Sequence, residues 1–292
     1  MPRRRKFRLR LPTRTLALGE RTLLMGVVNV TPDSFSDGGL YLETDAAARH
    51  ALALEQAGAD ILDIGGESTR PGAEPTPPEV ELDRVVPVIQ KLRGRVKIPI
   101  SIDTRRAEVA DMAARAGAEI INDVSALRDD PEMAEVAGRH KLPVILMHMR
   151  GTPKTMQKRP FARNVVRDVR AGLEAAIRRA VDGGLERRRL LIDPGIGFGK
   201  SFRQNFELLA RLWEFADLGL PIVVGTSRKM FVGSAIGGAV AKERVWGTAA
   251  TVTAAVLGGA HIVRVHDVRE MVQVVKVADA MLDAGGRITR EN

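Results

Sequence analysis

Asn29, Asp63, Asp103, Asn122, His148, Asp193, Ser227 and His266 are spread along the chain, yet each falls near the end of a short apolar run. Carboxylates, amides, a hydroxyl and imidazoles at such places can donate and accept hydrogen bonds to a polar molecule. Asp103 and Asp193 follow apolar residues in ISID and LLID. Isolated charges there would be costly to bury, so these two read as acceptors for a ligand. With Asn122 they suit a flat heterocycle that carries amino and amide edges. Any single Asp or Asn could instead satisfy a turn backbone. The whole set needs a common cause.

A second set is cationic and comprises Arg70, Arg228, Lys229, Arg264 and His266. Arginine meets phosphate oxygens with a planar fork, and lysine acts as a compact charge and donor, so a phosphorylated ligand fits this group. Arg228 taken alone reads as ordinary surface charge. Arg264 and His266 stand two apart and so project to one side of a strand.

The elements that must position these residues are eight short apolar, β-branched runs: 23–30, 60–66, 98–104, 120–125, 143–149, 190–195, 221–227 and 261–267. Between them lie stretches with helical spacing, among them 45–58, 79–92, 107–117, 165–184 and 269–282. QAGADILDI, RAGAEIIND and GGAHIVRV place glycine between a helix and the next strand, as a helix stop requires. Alternating βα units imply a parallel sheet. Eight of them in 292 residues favour a single (β/α)8 TIM barrel over an open sheet. In a barrel all eight strand tips share one mouth, where such folds carry their active sites.

Two connections stand out: TPDSFSDGG after the first strand and GESTRPGAEPTPPE (66–79) after the second. Long, polar, Gly- and Pro-rich, they suit lids that exclude water from the mouth. GIGFGKS (195–201) is also glycine-rich but lacks the spacing of a phosphate-binding P-loop, so it is weak evidence for a phosphate site.

The net charge of +9 is concentrated at one end. Residues 1–14 hold six Arg, one Lys and no acid, so all but two of the net positive charges lie there. This stretch reads as a solvated basic N-terminal arm rather than a nucleic-acid contact. Alternation in Phe7, Leu9 and Leu11, then Leu16 and Leu18, suggests an N-terminal β-hairpin that leads through Gly19-Glu20 into the first core strand. No apolar segment resembling a secretory signal follows the arm, and no run of 18 apolar residues suggests a membrane span. The absence of cysteine excludes disulfides and thiol chemistry and is compatible with a reducing cytoplasm.

The blocks MGVVNVTPDSFSDGG, ADILDIGGESTRPGA, SIDT, GAEIINDVSAL, MHMRGTP, LIDPGIGFGKS, GTSRKMFVG and RVHDV resemble the dihydropteroate synthase family, in family order from Met25 to Val268. The resemblance implies one pterin-binding barrel domain over 15–292. It also implies that the pterin-methyl group of 6-hydroxymethyl-7,8-dihydropterin pyrophosphate is transferred onto the amine of p-aminobenzoate, with Mg²⁺. Asp103, Asn122, Asp193 and Lys229 would then hold the pterin, with Met147 lining its pocket. Asn29 would help place the metal, and Arg264 and His266 would hold pyrophosphate. Thr69, Arg70, Pro71, Phe198 and Ser227 would form the p-aminobenzoate side, and Asp33, Ser34 and Phe35 would belong to the lid.

Catalytic roles would fall to Asp103, Lys229, Arg70 and Asp33. The implied mechanism is dissociative, with the bond to pyrophosphate weakening before the amine attacks. Such enzymes are cytoplasmic homodimers, and the small-residue helix GTAATVTAAVLGGA (247–260) suits either a dimer contact or packing on the protein's own barrel. A pterin-dependent methyl-transfer domain would share the Asp and Asn residues, but not the SRK block or the TPDSFSDGG loop. A non-enzymatic pterin-binding protein is the remaining alternative.

Overall fold

The computed structural model describes residues 4–31, 39–69, 72–152, 154–156 and 163–286. Strands β1 (Phe7–Arg10) and β2 (Thr15–Leu18) form an antiparallel hairpin, and eight further strands form one parallel sheet. These are β3 (Leu23–Asn29), β4 (Ile61–Gly65), β5 (Ile100–Asp103), β6 (Ile120–Asp123), β7 (Val144–Met147), β8 (Leu190–Asp193), β9 (Val223–Gly225) and β10 (Ile262–Val265). Each pairs with its sequence neighbour, and β10 pairs with β3. A bridge between Ile192 and Ile222 joins β8 to the segment entering β9, so the sheet closes on itself. All eight expected strands are present in a TIM barrel.

Around it lie α1 (Gly39–Gln56), α2 (Pro78–Leu92), α3 (Ala107–Ala116), α4 (Met133–His140), α5 (Val165–Asp182), α6 (Phe202–Ala210), α7 (Met230–Ala235), α8 (Val245–Leu257) and α9 (Val268–Ala284). Gly58, Gly117 and Gly259, the expected helix stops, all have positive φ. A Cβ at Gly58 would also meet Val272 at 2.9 Å. One face of each strand packs on these helices through residues such as Leu62, Ile64, Ile121, Leu146, Ile192 and Val263. Two covered faces explain why the strands read as continuous apolar runs.

The inward faces divide into two levels. Ile61, Ile120, Ile145, Leu191, Val223 and Ile262 form an apolar layer with Leu9, Leu11 and Leu18 of the hairpin. Two residues further along the same strands, and therefore on the same face, stand Asp63, Asn122, Met147, Asp193, Gly225 and Arg264. The period of two thus carries each strand from an apolar base to a polar mouth.

The solvated-arm expectation for residues 1–14 is corrected from Arg4 onward. Leu9 and Leu18 are fully buried, and each such burial stabilises by about 1.5–3 kcal/mol. Arg4 is buried too; its guanidinium donates to Gly19 O at 3.2 Å, Thr22 Oγ1 at 2.6 Å and Ala260 O at 3.2 Å, and ion-pairs with Asp279 at 3.0 Å. His261 accepts from Ile222 N–H through Nδ1 and contacts Arg5 O through Nε2, each at 3.0 Å. Burial lowers its pKa to about 4, so the neutral ring fixes the strand to the barrel base. Charge content alone misread this segment because its alternating apolar residues have a barrel end to cover.

Candidate active site

Strand register brings Asp63, Asp103 and Arg264 together although they are distant in sequence. Arg264 Nε donates to Asp63 Oδ2 at 2.6 Å, and Nη2 donates to Asp103 Oδ2 at 2.8 Å. Asn122 Nδ2 donates to the same Asp63 oxygen at 3.0 Å. The second Asp63 oxygen and the Ser101 hydroxyl are buried and have no hydrogen-bond partner among the described residues. The mouth therefore carries unused acceptors, which suits a ligand rich in N–H donors.

Burial pushes the Asp103 carboxyl up to about 7; Arg264 opposes the shift, and Asp63 and Glu81 add to it. Burial also works against the Arg264 charge, but Asp63 and Asp103 outweigh it and raise its pKa. Asp193, at the tip of β8, accepts from Gly195 N–H at 2.6 Å. Its pKa is raised by burial and restrained by Lys229, whose own pKa burial lowers to about 8 against the attraction of Asp193. Asp103 and Lys229 are thus poised near neutrality, as acid–base and binding sites require.

Lys229, immediately before α7, donates to Ile196 O and stands 4.5 Å above the Phe198 ring centroid. Ring and carbonyl together favour the ammonium form. Met147 is buried at the tip of β7 with Val124, Met149 and Met156, and Phe198 packs on this cluster. Ser227 Oγ accepts from His266 N–H at 3.1 Å and contacts His266 Nδ1 at 3.0 Å. Asn29 ends β3 half-buried, and Thr69 is half-buried beyond β4. Asp33, Ser34, Phe35, Arg70 and Pro71 lie outside the described residues.

Two polar residues from the sequence reading stand apart from this group. Arg228 has φ +59 and pairs with Asp267 through two hydrogen bonds, so it belongs to the outer layer. His148 is half-buried, and burial first, then Lys200 and Arg150, drives its pKa down to about 2; the neutral ring packs against Gly172. The root of the 66–79 loop is braced by Glu67, which accepts from Arg105 at 3.0 Å and from Thr76 N–H at 3.0 Å. Arg105 also bonds Asp129 at 2.7 Å, and Arg106 pairs with the buried Glu81.

Residues 25–266 match the model of the pterin binding enzyme family. A dihydropteroate synthase from Synechocystis sp. is 49% identical over 263 residues, covering 90% of this chain and 91% of that protein. The chain belongs to the dihydropteroate synthase family. The dihydropteroate synthase of Bacillus subtilis is 44% identical, covering 93% of this chain and 92% of its own. Among solved structures, Xanthomonas albilineans dihydropteroate synthase with 4-aminobenzoic acid superposes with TM-score 0.89 at 45% identity, covering 95% of this chain and 98% of that one. The same enzyme in complex with 7,8-dihydropteroate gives TM-score 0.85 at 43% identity, with 94% and 98% covered.

Within this dihydropteroate synthase framework, sequence reasoning left two residues without a role. Asp63 was visible only as one more polar strand residue. Its position two after Ile61 could have marked it as inward-facing, but only the register reveals Arg264 as its partner. Lys200 carried no signal except its glycine-rich neighbourhood. A cavity of about 470 Å³ lies at the other end of the barrel, lined by Lys6, Phe7, Arg8, Arg187, Arg188 and Leu220 among others; it contains none of the strand-tip residues.

Proposed function

We propose that this transferase condenses 6-hydroxymethyl-7,8-dihydropterin pyrophosphate with p-aminobenzoate, giving 7,8-dihydropteroate and pyrophosphate. The observation that carries the reading is the polar layer at the mouth, where Asp63, Asp103, Asn122 and Asp193 gather around Arg264 and Lys229. A pterin presents ring N–H and amino donors along one edge, and this layer presents acceptors. The solved relatives named with 4-aminobenzoic acid and with 7,8-dihydropteroate support the same substrates and product.

In this reading Asp103, Asn122, Asp193 and Lys229 hold the pterin, and Met147 forms an apolar wall. Arg264 gives both of its described bonds to carboxylates, an arrangement that differs from the expected pyrophosphate role. A pterin that takes Asp103 would free Nη2 for a phosphate oxygen, while Asp63 keeps Nε in place. His266 would meet the same pyrophosphate. Thr69, Phe198 and Ser227, with Arg70 and Pro71, would receive p-aminobenzoate, and Asp33 would act from the lid.

Cleavage of the C–O bond sends its electron pair to pyrophosphate and leaves a pterin-methyl cation, which the Asp103 carboxylate stabilises. The amine lone pair then forms the C–N bond, and the proton of the new ammonium passes to solvent. Water exclusion matters because water would otherwise capture the cation.

Magnesium belongs to this proposal, and the donor chemistry fits it. Among the described residues no cluster of three His, Asp or Glu forms a metal cage. Mg²⁺ is commonly held by substrate phosphates with one or two protein oxygens, and Asn29 offers one neutral amide oxygen at the mouth. When bound, the metal would neutralise charge on pyrophosphate as it leaves.

A homodimer is also part of the reading. Trp246, Val277 and Met281, at or near α8 and α9, are 80%, 58% and 55% exposed, which suits an apolar contact with a second copy. Thr248, Thr251, Val252, Ala255 and Val256 of the small-residue helix are instead buried in the protein's own core. A cytoplasmic location fits substrates bearing pyrophosphate and carboxylate charges. No helix among the described residues is long and apolar enough to cross a membrane.

The test is to incubate the protein with dihydropterin pyrophosphate, p-aminobenzoate and Mg²⁺, and to measure dihydropteroate by mass spectrometry. Product that is lost in Lys229→Ala and in metal-free controls supports the proposal. Pterin binding without product at any Mg²⁺ concentration would point to the non-enzymatic alternative.

A further inference from the structure

The 194–201 loop between β8 and α6 resembles a phosphate loop in composition, but its lysine is used otherwise. Lys200 is 1% exposed, and its ammonium donates to His148 O at 2.8 Å, Pro194 O at 2.9 Å and Gly195 O at 2.7 Å. An ammonium has three N–H donors, and all three are engaged. None remains for an anion.

These bonds tie the end of β7 to both ends of the loop. The rest of the loop is held equally closely: Gly197 N–H donates to Asn205 Oδ1 at 2.7 Å, and Arg150 Nη1 donates to Gly199 O at 3.2 Å. Ser201 and Gln204 form a reciprocal capping box at the start of α6. Gly195, Gly197 and Gly199 have φ of +64, +92 and +66. A Cβ on them would stand 1.9 Å from His148 O, 2.7 Å from Lys229 Cδ and 2.5 Å from Arg150 O. The loop is thus pressed on one side against β7 and on the other against Lys229. Between these glycines are the Ile196 carbonyl that accepts from Lys229 and the Phe198 ring beneath its ammonium.

We infer that Lys200 is a positioning residue: it clamps three backbone carbonyls so that the Phe198 ring keeps its place on the p-aminobenzoate side of the mouth, beside the pterin-holding Lys229. This rests on the proposed reaction and adds to it a specific dependency, from a buried cation through a loop to an amine-binding surface.

Steady-state kinetics on wild type, Lys200→Met, Gly199→Ala, Phe198→Ala and the Lys200→Met/Phe198→Ala double variant, varying each substrate in turn, tests the inference. Lys200→Met should raise KM for p-aminobenzoate on the order of ten-fold, with KM for the pterin pyrophosphate within about two-fold. In the double variant the two penalties should not add, because both act through one loop. Equal increases in both KM values, a fall in kcat alone, or additive penalties would overturn it. If Lys200→Met does not melt cooperatively, Gly199→Ala displaces the same loop without unpairing a buried charge, and the same split between substrates is required of it. A wild type that makes no product defeats the proposed reaction and this inference with it. Normal wild-type turnover with an unsplit effect defeats only the inference.

Discussion

At its N-terminal end the barrel interior is filled by Leu9, Leu11 and Leu18 from the hairpin, set against Ile61, Ile120, Ile145 and Leu191. Two residues along the same strands, the interior holds Asp63, Asn122, Asp193 and Arg264, with buried acceptors that have no hydrogen-bond partner among the described residues. The same backbone geometry serves both ends, so the contrast resides in side chains alone. Apolar closure at the base supplies stability that does not depend on ligand. The mouth gathers carboxylates whose charges repel in the dry interior, an arrangement that a donor-rich ligand would relieve. Substitutions at the two ends should therefore separate rate from stability.

The largest effect is expected at the mouth. Asp103→Asn keeps the shape and removes the charge that stabilises the cation, so kcat should fall on the order of 100-fold or more without loss of stability. Steady-state rates and melting curves on one preparation decide this; unimpaired turnover would remove the role assigned to Asp103.

The converse expectation applies at the base. Leu18→Ala should cost about 3 kcal/mol of stability, measured by denaturant unfolding, and leave kcat per folded molecule unchanged. Arg4→Met, which strands Asp279 and the Ala260 carbonyl without their cation, should destabilise by about as much. Loss of turnover in still-folded molecules would mean that base and mouth are coupled.

A subtler separation comes from pH. Burial pushes the Asp103 carboxyl up to about 7 and the Lys229 ammonium down to about 8. If pterin binding uses the carboxylate and the ammonium, kcat/KM should rise through the first value and fall beyond the second. A profile that is flat from pH 6 to pH 9 would contradict the assignment of both groups.

The last expectation concerns stability. Asp103 retains a proton in the fold that the unfolded chain has already released, so its contribution to stability falls as pH rises from about 4 to about 7. The stability of Asp103→Asn relative to wild type should increase across that window. Parallel curves would show that the carboxyl is not held protonated.

Much of this architecture is legible from one chain. Alternating runs with glycine stops specify a barrel, and the polar residue closing each run marks its mouth. The partners within the mouth are not legible, because Arg264 meets Asp63 and Asp103 through strand pairings across 201 and 161 residues. Charge counting misplaced the N-terminal segment, since seven cations conceal the fact that Leu9 and Leu11 have an apolar layer to join. Lys200 was obscured for a similar reason: a lysine beside glycines suggests an exposed anion site, and only the fold reveals three carbonyls surrounding it. Asp193, Asn122 and Lys229, by contrast, are where the strand ends predicted them.

The Arg4–Asp279 pair joins residues separated by 275 positions, and Thr22 donates to the same carboxylate. During synthesis the hairpin emerges long before α9, which carries Asp279. The base of the barrel therefore cannot be sealed until α9 is made, and the hairpin waits for that helix to reach its complete set of partners.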